Sequence, residues 1–465
     1  MISQFDIVIL GSGTTAMAGA QKAAREGAKV LMVEQGQVGG TCVNWGCVPS
    51  KTLIDKAAMF HAARRAAAWG LSIHSGDPDC PTLMQLKRTA VDTIRRRNYQ
   101  QEIEAYPNIK ILRGHGTFLS NRELQVGAET IRSERFLVAV GGFPRVAKLP
   151  GLEAVDYLTS YSALHLPCFP KSLVILGGGV IALEMGQMFA RFGTQVTILE
   201  RGDRLLGEFD PRLTGIFREM LHREGVQVFT EVETERVAGR PQGVCVYARV
   251  AEAPIGICAE RFMQAVGTVP ATGGIGLEQA GVDLDNAGFI RVDAGCSTSA
   301  AGIWAAGDVT GPPLIAPAGE LDAEVAVANM LAGHEVRTVD HRLSPMAVFV
   351  DPEFATVGMD LEAAQKEGHD AVEGFLDLED VPKAHVLGER RGGILLCAER
   401  KGGRLLGCQL LAPRAADIIH EAMLAIRFGL TAADLAESVH VYPTISDGLR
   451  LAARRLLEQV ETAAE

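Results

Sequence analysis

Apolar positions along this chain fall into short unbroken runs, separated by glycine clusters and by stretches with helical spacing. Ile7-Val8-Ile9-Leu10 predicts a buried strand. Gly11-Ser12-Gly13 follows as a turn, then an amphipathic helix, a second apolar strand and an acid, Glu34. The same order returns between Val174 and Gly202, which aligns with Val8 to Gly36 without a gap and places its acid at Glu200. Each copy reads as a βαβ dinucleotide unit. One glycine-rich turn is weak evidence, but two copies with the same spacing to a strand-end acid are strong evidence.

In the first unit Gly11 permits a tight turn, Gly13 lets the backbone meet a pyrophosphate at a helix N-terminus, and Ala16 packs helix on strand. Glu34 is placed to accept hydrogen bonds from a ribose. Gly177, Gly179, Ala182 and Glu200 take the same parts in the second unit. The order predicts an α/β protein with two Rossmann-like dinucleotide-binding domains. The first comprises residues 1–145 and 269–336, the second residues 146–268. Residues 337–465 carry no nucleotide motif and mix short strands and helices, the clearest being Ala347-Val348-Phe349-Val350 and the helix Ala415 to Phe428.

A length of 465 residues is too great for one core and fits two or three domains. The 51 glycines suit nucleotide loops and tight turns. A net charge of −11, with no block of basic residues, excludes a nucleic-acid or anionic-membrane surface. Nine cysteines in so long a chain are not a disulfide scaffold. Cys80, Cys168, Cys245, Cys258, Cys296, Cys397 and Cys408 are scattered and read as free thiols of a reducing compartment. The chain enters a strand at once, without a basic leader, and no apolar run approaches membrane-spanning length. A cytoplasmic location is the expectation.

The remaining pair changes the picture. Cys42 and Cys47 lie in Gly39-Gly40-Thr41-Cys42-Val43-Asn44-Trp45-Gly46-Cys47-Val48-Pro49-Ser50-Lys51. Two thiols so spaced can close a small disulfide ring that a two-electron donor opens and closes. The paired glycines let the backbone approach a cofactor, Pro49 suits the first turn of a helix, and Lys51 places a cation behind the second thiol. A structural disulfide is the alternative reading. The length of the run, and its place after a nucleotide motif, favour redox chemistry. No other set of residues has metal-ligand spacing, so a metal would be substrate and not cofactor.

This run resembles the redox-active disulfide of the pyridine nucleotide–disulfide oxidoreductases, and the resemblance covers essentially the whole chain. It implies that the first unit, with Gly40, Thr41, Lys51, Gly141 in the Leu137–Gly142 strand and Asp308 in Ala306-Gly307-Asp308, binds FAD. The second unit then binds NAD(P)H. The last segment resembles the dimerisation domain of that family, so a homodimer is implied. By resemblance, Cys47 faces the flavin, Cys42 exchanges with substrate, and Lys51 steadies the negative charge. Glu184 resembles the acid that pairs with that lysine.

Substrate choice is expected near His440-Val441-Tyr442-Pro443-Thr444-Ile445-Ser446-Asp447. Disulfide-reducing members read His-Pro-Thr here, with a Glu three residues beyond the Thr that orients the His as general base. In this sequence Tyr442 stands at the base position and Asp447 at the Glu position. A phenol with a pKa near 10 is a poor base at neutral pH. On a strand, His440 would point the same way as Tyr442. The tyrosine resembles the mercuric reductase branch, as do Ala347 to Pro352, Leu378 to Ala384 and Asp447 to Ala453; Tyr157 resembles a second active-site tyrosine there. That branch implies electron transfer from NAD(P)H through FAD and the dithiol to Hg(II) or another soft metal ion. The alternative is a dihydrolipoyl dehydrogenase-like enzyme acting on lipoamide or another small or protein-bound disulfide.

Two departures stand against the simple assignment. Mercuric reductase ends in an adjacent Cys-Cys pair, whereas the last cysteine here is Cys408. Val266-Gly267-Thr268-Val269-Pro270 stands where the family usually has Gly-Arg-x-Pro-Asn. For the nicotinamide, Glu200 favours NADH through the ribose hydroxyl, while Arg201 and Arg204 can clamp the phosphate of NADPH. Ala182, in this family, tips the expectation to NADPH.

Overall fold

The computed structural model describes residues 5–461. Strand β1 (Ile7–Leu10) is wholly buried and leads into α1 (Thr14–Arg25), whose buried face is Ala16, Met17, Gly19, Ala20, Ala23 and Ala24. Strand β2 (Val30–Glu34) pairs parallel to β1 with Ile7 opposite Val30. A short helix α2 (Gly40–Asn44) and the longer α3 (Cys47–Arg65) carry the thiol run. Helix α4 (Cys80–Arg95) is capped by Asp79, whose side chain accepts from the amide of Thr82. It buries Cys80, Met84, Lys87 and Val91, one face of a helix. Strands β3 (Ile109–Arg113) and β4 (Phe136–Val138) join the same sheet.

The second unit repeats this build. Strand β5 (Ser172–Leu176), helix α5 (Val180–Arg191) and strand β6 (Gln195–Leu199) are followed by β7 (Gln227–Phe229) and β8 (Arg261–Gln264) in a parallel sheet of order β7-β6-β5-β8. Strand β9 (Ile303–Ala305) then returns to the first sheet, whose order is β9-β4-β1-β2-β3. Helix α6 (Ala316–Ala332) lies against α1, where Gly19 approaches Ala323 and Val327. Gly142–Pro144 pairs with Thr268–Pro270 where the chain crosses between the two units. The departure at Val266 to Pro270 therefore falls on a crossover ribbon.

The last unit is an antiparallel sheet of order β10-β11-β14-β13-β12, formed by β10 (Met346–Val348), β11 (Glu353–Gly358), β12 (Ala371–Asp377), β13 (Gly393–Glu399) and β14 (Leu405–Ala412). Helices α7 (Ala415–Arg427) and α8 (Asp447–Leu457) cover it. The predicted strand at Ala347 and helix at Ala415 are both present. No helix among the described residues is long and apolar enough to cross a membrane.

Four cysteines expected to be free are paired. Cys80 is bonded to Cys168 and Cys245 to Cys258, while Cys296, Cys397 and Cys408 are buried free thiols. Cys245 and Cys258 face each other across two antiparallel strands, and Cys80 begins the helix whose Lys87 donates to Leu164 in the segment holding Cys168. Such neighbours are set by strand register and tertiary packing, which cysteine spacing does not reveal.

Candidate active site

The first glycine pair of the thiol run has left-handed backbone, with φ of +100° at Gly39 and +59° at Gly40. A Cβ on Gly40 would stand 2.6 Å from the Cα of Gly13, so the thiol loop is pressed against the first dinucleotide turn. Cys47 opens α3, where unpaired amides favour a thiolate. Both Cys42 and Cys47 are free thiols, the first half-buried and the second exposed. A hydrogen bond from Cys42, helped by the charge of Lys51, pulls Cys47 down to about 7, against partial desolvation by the surrounding chain and the opposing charge of Glu184. Cys42 is pushed far up, first because it donates that bond and then by burial. The pair thus holds one proton on Cys42 and negative charge on Cys47.

Lys51 and Glu184 meet at 2.6 Å, with Glu184 only 4% exposed. The other carboxylate oxygen of Glu184 accepts from the amide of Phe349 at 2.9 Å, and Lys51 Nζ lies 4.9 Å from the centre of the Phe349 ring. Helix α3, helix α5 and the segment after β10 therefore converge on one carboxylate beside the thiols. A backbone amide donor leaves no sequence signal, so the sequence shows Phe349 only as part of a strand.

The first unit fits a bound dinucleotide. Gly11 has φ +110°, and a Cβ there would stand 2.3 Å from the carbonyl oxygen of Ala139. Gly13 caps α1 without a side-chain cap, leaving its first amides for a phosphate. Glu34 is buried and held by Ser12 Oγ at 2.6 Å and by the amide of Gly36. Burial raises the Asp308 carboxyl, which is offset only by its own backbone amide. An acceptor so desolvated suits the hydroxyls of a ribityl chain. Gly141 turns the chain directly after β4, with φ +72°. Ala16 is fully buried.

The second unit is more open. Gly177 repeats the close approach, 2.3 Å from the carbonyl oxygen of Ala265, and Ala182 is fully buried. Nothing lies within 4 Å of a Cβ placed on Gly179. Glu200 accepts from the amide of Gly202. Arg201 is exposed, whereas Arg204 donates to the carbonyl of Gly207 at 2.9 Å and lies 3.5 Å from Asp203. Only Arg201 of the two predicted phosphate clamps has its guanidinium at the surface without a recorded partner among the described residues.

The C-terminal candidates separate. Residues 440–446 form no strand, so His440 and Tyr442 do not point the same way. His440 turns inward, 7% exposed, with Nε2 2.7 Å from Glu421 on α7. Tyr442 is 70% exposed. Asp447 is buried and accepts from Arg450 Nε at 2.6 Å, which engages it away from an orienting role on Tyr442. Tyr157 is half-buried and packs against the core of the second unit, which includes Val174, Val232 and Phe262. Four residues on, Tyr161 reaches the thiol loop: its hydroxyl is 2.8 Å from Thr41 Oγ1 and donates to the carbonyl of Gly142, and its ring stacks on Trp45. Sequence reasoning missed Tyr161. The signal was the Thr159 cap, which starts a short helix and carries Tyr161 into its first turn. Among the described residues no group of three His, Cys, Asp or Glu side chains is placed to hold a metal ion.

Comparison with known proteins follows the same outline. Residues 5–329 match the family profile "Pyridine nucleotide-disulphide oxidoreductase", and residues 344–453 match the dimerisation domain of that family. A mercuric reductase of Staphylococcus aureus is 37% identical over 97% of this chain and 82% of its own. A dihydrolipoyl dehydrogenase of Chlorobaculum tepidum is 32% identical over 99% of this chain and 98% of its own. Among solved structures, the HOCl-induced flavoprotein disulfide reductase RclA from Escherichia coli superimposes with a TM-score of 0.86 at 29% identity, covering 97% of this chain and 99% of that one. A Cu(II) complex of that reductase matches equally well.

Proposed function

Because the chain belongs to the pyridine nucleotide-disulphide oxidoreductase family, we propose that it passes electrons from NAD(P)H, through FAD and the Cys42–Cys47 pair, to Hg(II) or another soft metal ion. FAD and NAD(P)H are the cofactors of the family, and the dimerisation domain with its relatives implies a homodimer. When bound, the two cofactors supply the electron pair that opens the Cys42–Cys47 disulfide. Cys47 then carries negative charge beside Lys51, and Glu184 fixes the ammonium group of Lys51. Cys42 keeps its proton until substrate arrives. Two neighbouring sulfurs are a soft chelate, and binding a soft cation replaces the Cys42 proton.

One observation carries the metal-ion reading over disulfide exchange. His440, the only imidazole in the segment that would supply a base, is turned into Glu421, and the group presented outward is the phenol of Tyr442. Dithiol exchange needs a base near neutral pKa within reach of the thiol. The Cu(II) complex of the E. coli relative supports binding of a metal ion on this scaffold. The second reading, a lipoamide-type disulfide reductase, is favoured by the dihydrolipoyl dehydrogenase relative that spans the full chain. It requires the loop to release His440 from Glu421, or solvent to act as the base.

The test follows NADPH and NADH oxidation by the FAD-loaded protein with Hg(II) in excess small thiol and, in parallel, with lipoamide. Hg(II)-dependent turnover with no lipoamide turnover is expected, and lipoamide turnover alone sinks the metal-ion reading. Tyr442→His is expected to raise lipoamide turnover by about a hundredfold, the lower end of what a positioned general base contributes.

A further inference from the structure

We propose that Cys80–Cys168 is a second redox-responsive disulfide, opened by small thiols, that sets how firmly the 159–168 segment grips the thiol loop. The segment joins the two nucleotide units and is held at three points. At its start the Tyr161 hydroxyl meets Thr41, the neighbour of Cys42, and the Tyr161 ring lies on Trp45. In its middle Lys87, buried on α4, donates to the carbonyl of Leu164, while His165 Nδ1 lies 2.7 Å from the carbonyl of Tyr161. At its end Cys168 is bonded to Cys80. The covalent tie and the lysine tie come from the same face of α4, where Cys80, Met84 and Lys87 are all buried.

The pair is built to open from one side. Cys168 is exposed, and Cys80 is 6% exposed. A small thiolate therefore attacks Cys168. The S–S bond breaks, and Cys80 leaves as a thiolate in the first turn of α4, where unpaired amides favour it. The carboxylate of Asp79 is already engaged by the Thr82 amide and hydroxyl. Cys80 takes a proton from water. A second small thiol attacks the mixed disulfide, releases a small disulfide and leaves Cys168 as a thiol. The protein gains two electrons, and two small thiols become one disulfide. Cys245–Cys258 differs, because it only cross-links two strands already paired in register.

The experiment equilibrates the FAD-loaded full chain in glutathione buffers of graded ratio, labels free thiols before and after reduction, and identifies them by peptide mass. Amide hydrogen exchange across 159–168 and 40–45 is followed in the same buffers. Cys80 and Cys168 are expected to change state together, and exchange in both segments to rise about threefold or more on opening. Cys168→Ser is expected to show the raised exchange even in oxidising buffer. Cys42→Ser, which removes the neighbouring redox pair, is expected to retain the rise. Independent labelling of the two cysteines, equal exchange in both states, or loss of the rise in Cys42→Ser overturns the proposal. None of these readouts uses turnover, so failure here is distinct from failure of the metal-ion reading.

Discussion

The two dinucleotide units are the same sequence device placed in different surroundings. Each has a strand, a glycine whose Cβ would strike a carbonyl 2.3 Å away, a helix that starts on a glycine, and an acid at the end of the second strand. They differ in what lies above the turn. In the first, Gly13 is covered by Gly40 of the thiol loop, and Glu34 is gripped by Ser12. In the second, the space over Gly179 is open, and Arg201 stands at the surface. A covered turn retains its ligand, and an open one lets its ligand exchange. The motif selects a dinucleotide, and the neighbourhood decides whether it is a resident or a visitor.

The largest test of this contrast uses a position where the units are alike. Gly11→Ala and Gly177→Ala each force a side chain onto a carbonyl at positive φ, at a cost of about 2–5 kcal/mol from strain and overpacking together. Gly11→Ala is expected to be purified depleted of flavin, measured by the ratio of visible to ultraviolet absorbance. Gly177→Ala is expected to keep its flavin and show a raised KM for NAD(P)H. Loss of flavin from the second variant would remove the distinction.

A smaller effect is expected where the units meet. Lys51 lowers Cys47, so Lys51→Met should raise it above about 7. The thiolate is present above that pKa and absent below it. Alkylation of the reduced protein at pH 7 should therefore slow several-fold, with the midpoint of its pH profile shifted upward by about one unit. An unchanged profile would mean that the Cys42 hydrogen bond alone sets the charge.

The smallest effect is expected at Gly179→Ala. No atom lies within 4 Å of the new Cβ, and φ is −86°. The melting midpoint should move by no more than about 3 °C, while the KM for NAD(P)H rises through crowding of the phosphate. A large loss of stability would show that this turn is covered after all.

The two units were legible because their signals are local: periodicity, glycine position and the strand-end acid lie within one short segment. The thiol run and the Lys51–Glu184 pair were legible through motif position. What escaped depends on contacts between distant parts of the chain. His440 takes its direction from Glu421 on α7, and no alternation encodes that. Tyr161 matters because the chain brings it to Thr41, 120 residues away in sequence. Cys80 finds Cys168 across 88 residues, and a scatter of cysteines carries no connectivity.

Glu184 joins a lysine from the thiol helix to a backbone amide from the last unit. This limits how the protein can be engineered. A graft that exchanges Ser172–Gln264 to alter nicotinamide preference replaces one leg of a tripod standing on the reactive sulfurs. Chimaeras must therefore keep an acid at position 184 for Lys51 and the backbone amide of residue 349, or recover binding without chemistry.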